Sequence, residues 1–572
     1  MGAQSPGWAA RHRSAGFFSR QAAVTPVKGA QTPNRSRHDT APPVAQLQRK
    51  HVVLELECID RMYLNAYVPK LTSEAGVAGF LRGHLGHRFA STKYAGQMTD
   101  AFVVAIRDFL QREQVELVRF QKGQRKDQVM QQRLSRFGSR EGVVFVGVAQ
   151  EKMRVPRTIR KHFGQGGTIP WIAYSTAMVN AYYFYCVDED FGPFFLKFGS
   201  YFPYPAKLCL NGHEYLKRQL TQKGIGFQAL DNGLLSCADL PAAQRICEGL
   251  SAAKIDALFR KWLRRLPHPF RPADRRAGYR YDLSVLQAEF SLTQVWDRGL
   301  HGRAFFEQVI RENIDLGRPE QVQLIFGRKL QRKTVARGRC RTRLVTEGVI
   351  PSLHVYYKDT HLKQYHKEGR ALRTETTINN TYDFGVGRRL VNLPQLRAIG
   401  FAANRRVLQV ETLSHDCHIG AEAFAQLQRP AQVEGQHVAA LPFGQARVQA
   451  LFTVLVLFSL QPQGFQNKQL RPLLAQFLGL TESDLTPGRM SYDLRRLRLH
   501  GLIQRIPHSH RYRLTVSGMK TALFYARVYQ RLLRPGLSHI NDPTLADSSP
   551  LAAAAQRLQA ELDGFINQQL AA

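Results

Sequence analysis

Residues 489–533 read RMSYDLRRLRLHGLIQRIPHSHRYRLTVSGMKTALFYARVYQRLL, with four arginines in the first ten positions. Thr486 and Pro487 stand just before them as an N-cap and a first helical residue. Met490, Leu494 and Leu497 recur at i, i+4 and i+7, the spacing of a helix that buries one face. That leaves Arg489, Ser491, Tyr492, Arg495, Arg496 and Arg498 on the other face. Gly501 ends the helix, LIQRI and RYRLT make a hairpin around the turn PHSH, and Ser517 is expected to cap a closing helix. Upstream, ARVQALFTVLVLFSL and NKQLRPLLAQFLGL read as two further helices. Over 486–535 eleven Lys/Arg less one acid leave a charge of +10.

Three helices, a two-stranded hairpin and a returning helix resemble the winged-helix fold of many bacterial DNA-binding proteins. The resemblance covers residues 441–535, a sixth of the chain. It implies that the third helix enters the major groove while the hairpin reaches backbone or minor groove. Arg489, Ser491, Tyr492, Arg495, Arg496 and Arg498 would then face DNA, with His510, Arg511 and Arg513 on the wing. Arginine suits that role because its planar fork pairs with guanine edges or clamps phosphate.

The rest of the chain is basic as well. Its 572 residues carry 80 Lys/Arg against 44 Asp/Glu, a formal charge of +36. Such a field attracts polyanions, so nucleic acid is the expected partner, DNA ahead of RNA. The longest apolar run, residues 450–460, is far shorter than the ~20 residues a spanning helix needs and reads as a core helix, so no membrane partner is expected. Seven scattered cysteines without a C-x-x-C pair point to reduced thiols in an intracellular protein. No P-loop, third dinucleotide glycine or G-x-S-x-G elbow is present, which argues against a motor or a serine hydrolase.

The expected class is a multidomain α+β protein of mixed and antiparallel sheets with helices, ending in the winged helix. Residues 1–50 hold eight Lys/Arg and one acid and read as a disordered basic arm. An organelle transit peptide is the competing reading, which sets a mitochondrial location against a cytoplasmic, nucleoid-associated one. Residues 51–240 read as an α/β or α+β domain and 241–320 as mainly helical. Residues 321–440 read as a β-rich basic domain with strands in VQLIFGRKL, RCRTRLVTE, SLHVYYKD, LKQYHKEG and LRTETTINN. After the block 441–535 come a linker and a terminal amphipathic helix, 536–572, through which the chain could oligomerise.

Chemistry is harder to find. A nuclease or DNA-strand transferase holding Mg²⁺ needs converging carboxylates, and the candidates are Asp188, Asp190, Asp231, Glu289 and Glu375. Asp188 and Asp190, two apart, would share a face of an extended strand. Tyr356, Lys358, Lys363, Tyr365, Lys367 and Arg373 alternate along three strands and suit a platform for phosphates and stacked bases. Cys209 with His213, and the histidines of GHLGH and SHDCH, lack a second pair at zinc-finger spacing. The sequence therefore favours a DNA-binding protein of the replication-initiator, regulator or mobile-element kind, with no cofactor required. The alternatives are a Mg²⁺-dependent nuclease or transposase and an RNA-binding ribonucleoprotein component.

Overall fold

The alternation of VVLELECIDRMYLNAY generates one long strand, β1 (Val52–Tyr67), at the centre of the computed structural model. The structure describes residues 44–314, 340–345, 352–415, 419–459, 463–533 and 550–571, apart from positions 122, 139, 368 and the loop 163–167. Residues 1–43 of the expected arm, the strand expected in 322–330 and the linker before the terminal helix lie outside these.

Twelve further strands follow: β2 (Leu117–Arg119), β3 (Gly142–His162), β4 (Thr168–Asp188), β5 (Gly192–Gly199), β6 (Ala206–Asn211), β7 (Phe227–Leu230), β8 (Gly233–Cys237), β9 (Asp282–Trp296), β10 (Cys340–Val345), β11 (Ser352–Tyr357), β12 (Thr360–Lys367) and β13 (Ala371–Ile378). Eleven of the thirteen form a single sheet in the order β10-β11-β12-β13-β9-β1-β6-β5-β4-β3-β2, antiparallel except between β2 and β3. The fold is thus mixed α/β around one large sheet. That sheet crosses the segments 51–240, 241–320 and 321–440, which the sequence pattern alone keeps apart. The crossing point is β9, inside the stretch expected to be mainly helical, where Leu286, Ala288, Phe290 and Leu292 alternate with Gln287, Glu289, Ser291 and Thr293. It pairs β1 on one side and β13 on the other, and so joins the two β-rich regions.

Helices cover both faces. In order they are α1 (Val44–His51), α2 (Glu74–Gly79), α3 (Thr92–Arg112), α4 (Lys126–Phe137), α5 (Gly212–Gln222), α6 (Leu240–Glu248), α7 (Ala252–Arg265), α8 (Pro272–Arg276), α9 (Gly299–Ile314), α10 (Leu393–His415) and α11 (Ala421–Gln428). The end of the expected arm is ordered instead: α1 buries Leu47 against Trp296 and Phe305. The largest core runs from Ile59 to Phe401 and includes Phe184, Phe198, Trp262 and Phe290. Burying each such aromatic contributes about 2–3 kcal/mol. On one face α5 and α6 cover Leu54, Leu56 and Val295. On the other, α10 packs Phe401 edge-on to Phe290 and places Asn404 Oδ1 2.7 Å from the Thr376 hydroxyl.

Beyond two short strands, β14 (Ala431–Val433) and β15 (Gln436–Val438), the C-terminal block contains α12 (Ala446–Leu457), α13 (Asn467–Phe477), α14 (Pro487–Leu499), β16 (Ile503–Arg505), β17 (Tyr512–Leu514) and α15 (Val516–Arg527). Phe465 bridges to Tyr512 and so adds a third short edge to the hairpin. Met490, Leu494 and Leu497 are buried as their spacing predicts, together with Leu451, Leu470 and Leu514. Thr486 caps α14 by accepting from the Arg489 N–H, and Gly501 takes the left-handed turn that ends it. The closing helix is capped by Thr515, which accepts from the Gly518 N–H, rather than by Ser517. The terminal helix α16 (Pro550–Ala571) exposes Leu558, Leu562 and Phe565 at i, i+4 and i+7. Among the described residues, no helix is long and apolar enough to cross a membrane.

Candidate functional site

A polar cluster sits on the face of the sheet covered by α5 and α6, where β1, β9, β13 and β12 lie side by side. Alternation along β13 sends Arg373 and Glu375 to this face. Register then places Tyr365 and Thr293 beside Arg373, and Lys363 and Ser291 beside Glu375. Glu289, opposite Thr377, is the diagonal neighbour of Glu375. The β1–β9 register shifts between Ile59 and Met62, and Asp60 lies in this irregular stretch.

Arg373 is fully buried and forms the hub. Its Nη2 donates to Asp60 Oδ2 at 2.7 Å and to His213 Nε2 at 2.9 Å, and its Nε lies 2.7 Å from Glu375 Oε1. Nη1 donates to the Asn232 carbonyl, while the Asn232 amide donates to Asp60. The same His213 nitrogen lies 2.9 Å from Ser291 Oγ, which donates to the Cys58 carbonyl. Tyr365 donates to Glu375 Oε1 at 2.8 Å. Two local devices bring α5 onto the sheet. Asn211 accepts from the His213 and Glu214 N–H groups as its N-cap. Gly212 is needed because a Cβ there would stand 2.1 Å from the Ile59 carbonyl oxygen.

The titration behaviour follows from this packing. Burial would raise Asp60, but Arg373, His213 and Asn232 outweigh it and hold its carboxyl well below the usual carboxylate range. Glu289 is pushed up to about 8 by burial, reinforced by Asp60 and Glu375 and opposed by Arg61 and Arg373. Burial and Asp60 also raise Glu375, against Arg373 and the Tyr365 hydroxyl. The result is one fixed carboxylate beside two carboxyls that hold protons more tightly than usual, an arrangement suited to proton transfer. The cluster is not sealed. Glu375 keeps 20% of its side chain exposed, and Glu289, Tyr365, Lys363, Arg61 and Tyr63 are half-buried.

The structure therefore brings together Glu289 and Glu375, of the five carboxylates suggested by sequence, and adds Asp60. The others lie elsewhere. Asp188 is buried and accepts from Trp262 Nε1 at 2.7 Å and Lys261 Nζ at 2.8 Å. It also accepts from the Asp190 N–H, so the two belong to a turn rather than to one strand face, and Asp190 points outward. Asp231 is exposed in the turn beside Asn232, 3.8 Å from Lys367 Nζ. Asp60, Glu289 and Glu375 do not bring three ligand atoms within 4.8 Å. Among the described residues that holds for His51, Asp297 and His301 alone, where each imidazole Nδ1 pairs with one Asp297 oxygen at 2.9 and 2.7 Å.

Of the expected platform, Tyr356, Lys363, Tyr365 and Lys367 do share a sheet face, with Lys363 Nζ 4.0 Å above the Tyr365 ring. Lys358 leaves it: the residue sits in a turn at φ +51° and donates to the Asp383 carbonyl. Arg373 is no surface ligand either, because its charge is paired with Asp60 and Glu375.

A second basic surface lies on α14 and its hairpin. Arg489, Ser491, Tyr492 and Arg498 are exposed, as are His510 and Arg513, and Arg495 is half-buried with a bond to Gln436 Oε1 at 2.9 Å. Two expectations change. Arg496 is buried, donates to the Ala440 carbonyl and lies 3.5 Å from Asp493, which in turn accepts from Arg447 at 2.6 Å. Arg511 turns inward and donates to the Gln463 and Gly464 carbonyls at 2.8 and 2.7 Å, fixing the hairpin to the chain before α13.

Sequence reasoning passes over Asp60, Asn232 and the role of His213. The available signal is Asp60-Arg61, adjacent charges that break the apolar alternation of β1. Cys58, Cys186, Cys209, Cys237 and Cys247 are free thiols. No family model, curated protein or solved structure matches this chain.

Proposed function

We propose that this chain is a nucleic-acid-binding protein that engages DNA through a winged helix at 441–535. The observation that carries the reading is the exposed face of Arg489, Tyr492, Arg498 and Arg513, set on a helix and hairpin within a chain of net charge +36. Arginines held on a rigid helix suit groove contacts, and the wider positive field raises the encounter rate with a polyanion. A replication-initiator, regulator or mobile-element role in a cytoplasmic, nucleoid-associated protein fits this chemistry. The test is to purify the full chain, digest the bound nucleic acid with DNase or RNase, and sequence what remains. DNA supports the reading, RNA alone moves it to a ribonucleoprotein component, and the absence of both contradicts it.

The polar cluster on the sheet favours a second reading, a nuclease or DNA-strand transferase. Glu289 and Glu375 would supply the acid–base chemistry beside Asp60; the three do not converge as ligands, so a Mg²⁺ would need further ligands from the substrate phosphates. Plasmid cleavage in Mg²⁺ that disappears in Glu375→Gln while DNA binding persists would support it. No cleavage by the wild-type chain would remove it.

A further inference from the structure

Strands β3 and β4 are each 21 residues long, far longer than their neighbours require. β2 pairs with residues 117–119 against 146–148, and β5 pairs with 181–188 of β4. Beyond these, Glu151–His162 and Thr168–Val179 pair with each other over twelve positions, a two-stranded ribbon roughly 40 Å long. Its inner part is anchored. Ile172 is buried in the main core, Thr158 Oγ1 accepts from the Thr92 N–H at 2.8 Å, and Tyr174 donates to the Leu71 carbonyl at 2.7 Å. This fixes one face of the ribbon to the turn before α2 and to the start of α3, and leaves the β3 edge exposed.

That edge is strongly one-signed. Lys152, Arg154, Arg157, Arg160 and Lys161 face a single acid in the ribbon, Glu151, and all five are exposed. Glu151 is already held by Lys197 at 2.6 Å and Lys126 at 3.3 Å. Among the described residues, Lys152, Arg154, Arg157 and Arg160 form no ion pair. Strand alternation puts Arg157 and Lys161 on the face turned away from these anchors, while Arg154 and Arg160 stand exposed on the anchored side, flanking Pro156 and Thr158. Aromatic rings stiffen the cations: the Arg154 guanidinium lies 4.2 Å from the Tyr174 ring and Lys161 Nζ 5.5 Å from Trp171.

We propose that this ribbon is a second nucleic-acid contact, laying its basic edge along the groove and phosphate backbone of a DNA duplex. The inference rests on the nucleic-acid reading above. Cations that stand out along one exposed strand edge can pair with successive phosphates of the duplex while the anchored face stays on the body.

The experiment compares the full chain with Arg157→Gln/Arg160→Gln/Lys161→Gln in duplex DNA binding over a range of salt concentrations. Removing three cations from the phosphate backbone lowers the slope of log K against log[salt] by about two to three. Arg157→Lys/Arg160→Lys keeps the charge and restores the wild-type slope, and unchanged circular dichroism shows that the fold is kept. Wild-type binding with an unaltered slope in the glutamine variant overturns the ribbon contact alone. A wild-type chain that does not bind duplex DNA overturns both this inference and the reading it rests on.

Discussion

The polar cluster on the sheet and the C-terminal helix use arginine in opposite ways. Arg373 is buried between Asp60 and Glu375, and its donors also reach His213 and the Asn232 carbonyl. Arg489 and Arg498 stand in solvent and, among the described residues, form no ion pair. A buried pair offsets its desolvation only when nearly every partner is in place, so it holds geometry and tunes neighbouring protons. An exposed arginine gives up little solvation and remains free to replace counterions around a phosphate. Arg373 holds the cluster in position, whereas Arg489 and Arg498 stand open to solvent.

The comparison breaks most sharply at Arg373. Replacing it with Met strands Asp60 beside a raised Glu375 and is expected to cost about 3–5 kcal/mol, read as a large fall in the urea midpoint. Arg496→Met, which strips the buried Asp493 of one of two cations, should cost about 2–3 kcal/mol by the same measurement. Arg496 thus sorts with the buried Arg373 although it lies on the helix. A stability loss no larger than that of Arg498→Ala would return it to the contact surface.

The pH dependence sharpens the buried side. Glu411 on α10 is enclosed, and burial pushes it up to about 8 against the opposing Gln364 amide 2.9 Å away. Its unfolded value is the ordinary 4.5, so the folded chain holds an extra proton between pH 4.5 and 8. The sign follows: this contribution is fully present below 4.5 and is lost as pH rises through 8, at about 1 kcal/mol per unit. The denaturation midpoint should fall from pH 6 to pH 9, and Glu411→Gln should flatten that fall. An equally steep fall in the variant would clear Glu411 of the effect. The smallest change expected is Thr515→Ala, which removes the cap bond from the Gly518 N–H and the hydroxyl's bond to the Gly501 carbonyl, about 1–2 kcal/mol, whereas Ser517→Ala should be silent.

Local periodicity makes much of this molecule legible. The helices and hairpin of 441–535, the strand β1 and the strands β10 to β13 all follow from spacing of apolar residues. β9 is legible too, since Leu286 to Thr293 alternate without a break, but its charged Asp282 and Glu289 suit an exposed helix as well. What no local pattern contains is which strand sits beside which. Glu289 and Glu375 meet because β9 pairs with β13, and Asp60 joins them through an irregular stretch of β1; both depend on contacts between residues far apart in the chain. Burial of Arg496 and Arg511 is hidden for the same reason. Their partners, the Ala440, Gln463 and Gly464 carbonyls, lie in connecting segments whose paths are set by packing rather than by sequence period.

The central claim is that the exposed arginines of α14 and its hairpin contact DNA. Duplex binding of the full chain, followed by fluorescence anisotropy over a range of salt concentrations, tests it against Arg489→Ala/Arg498→Ala/Arg513→Ala. The account predicts steep salt dependence in the wild type, and in the variant a slope reduced by about one for each arginine–phosphate pairing removed. Wild-type affinity and slope retained in the folded variant would contradict it and assign that face to protein or solvent.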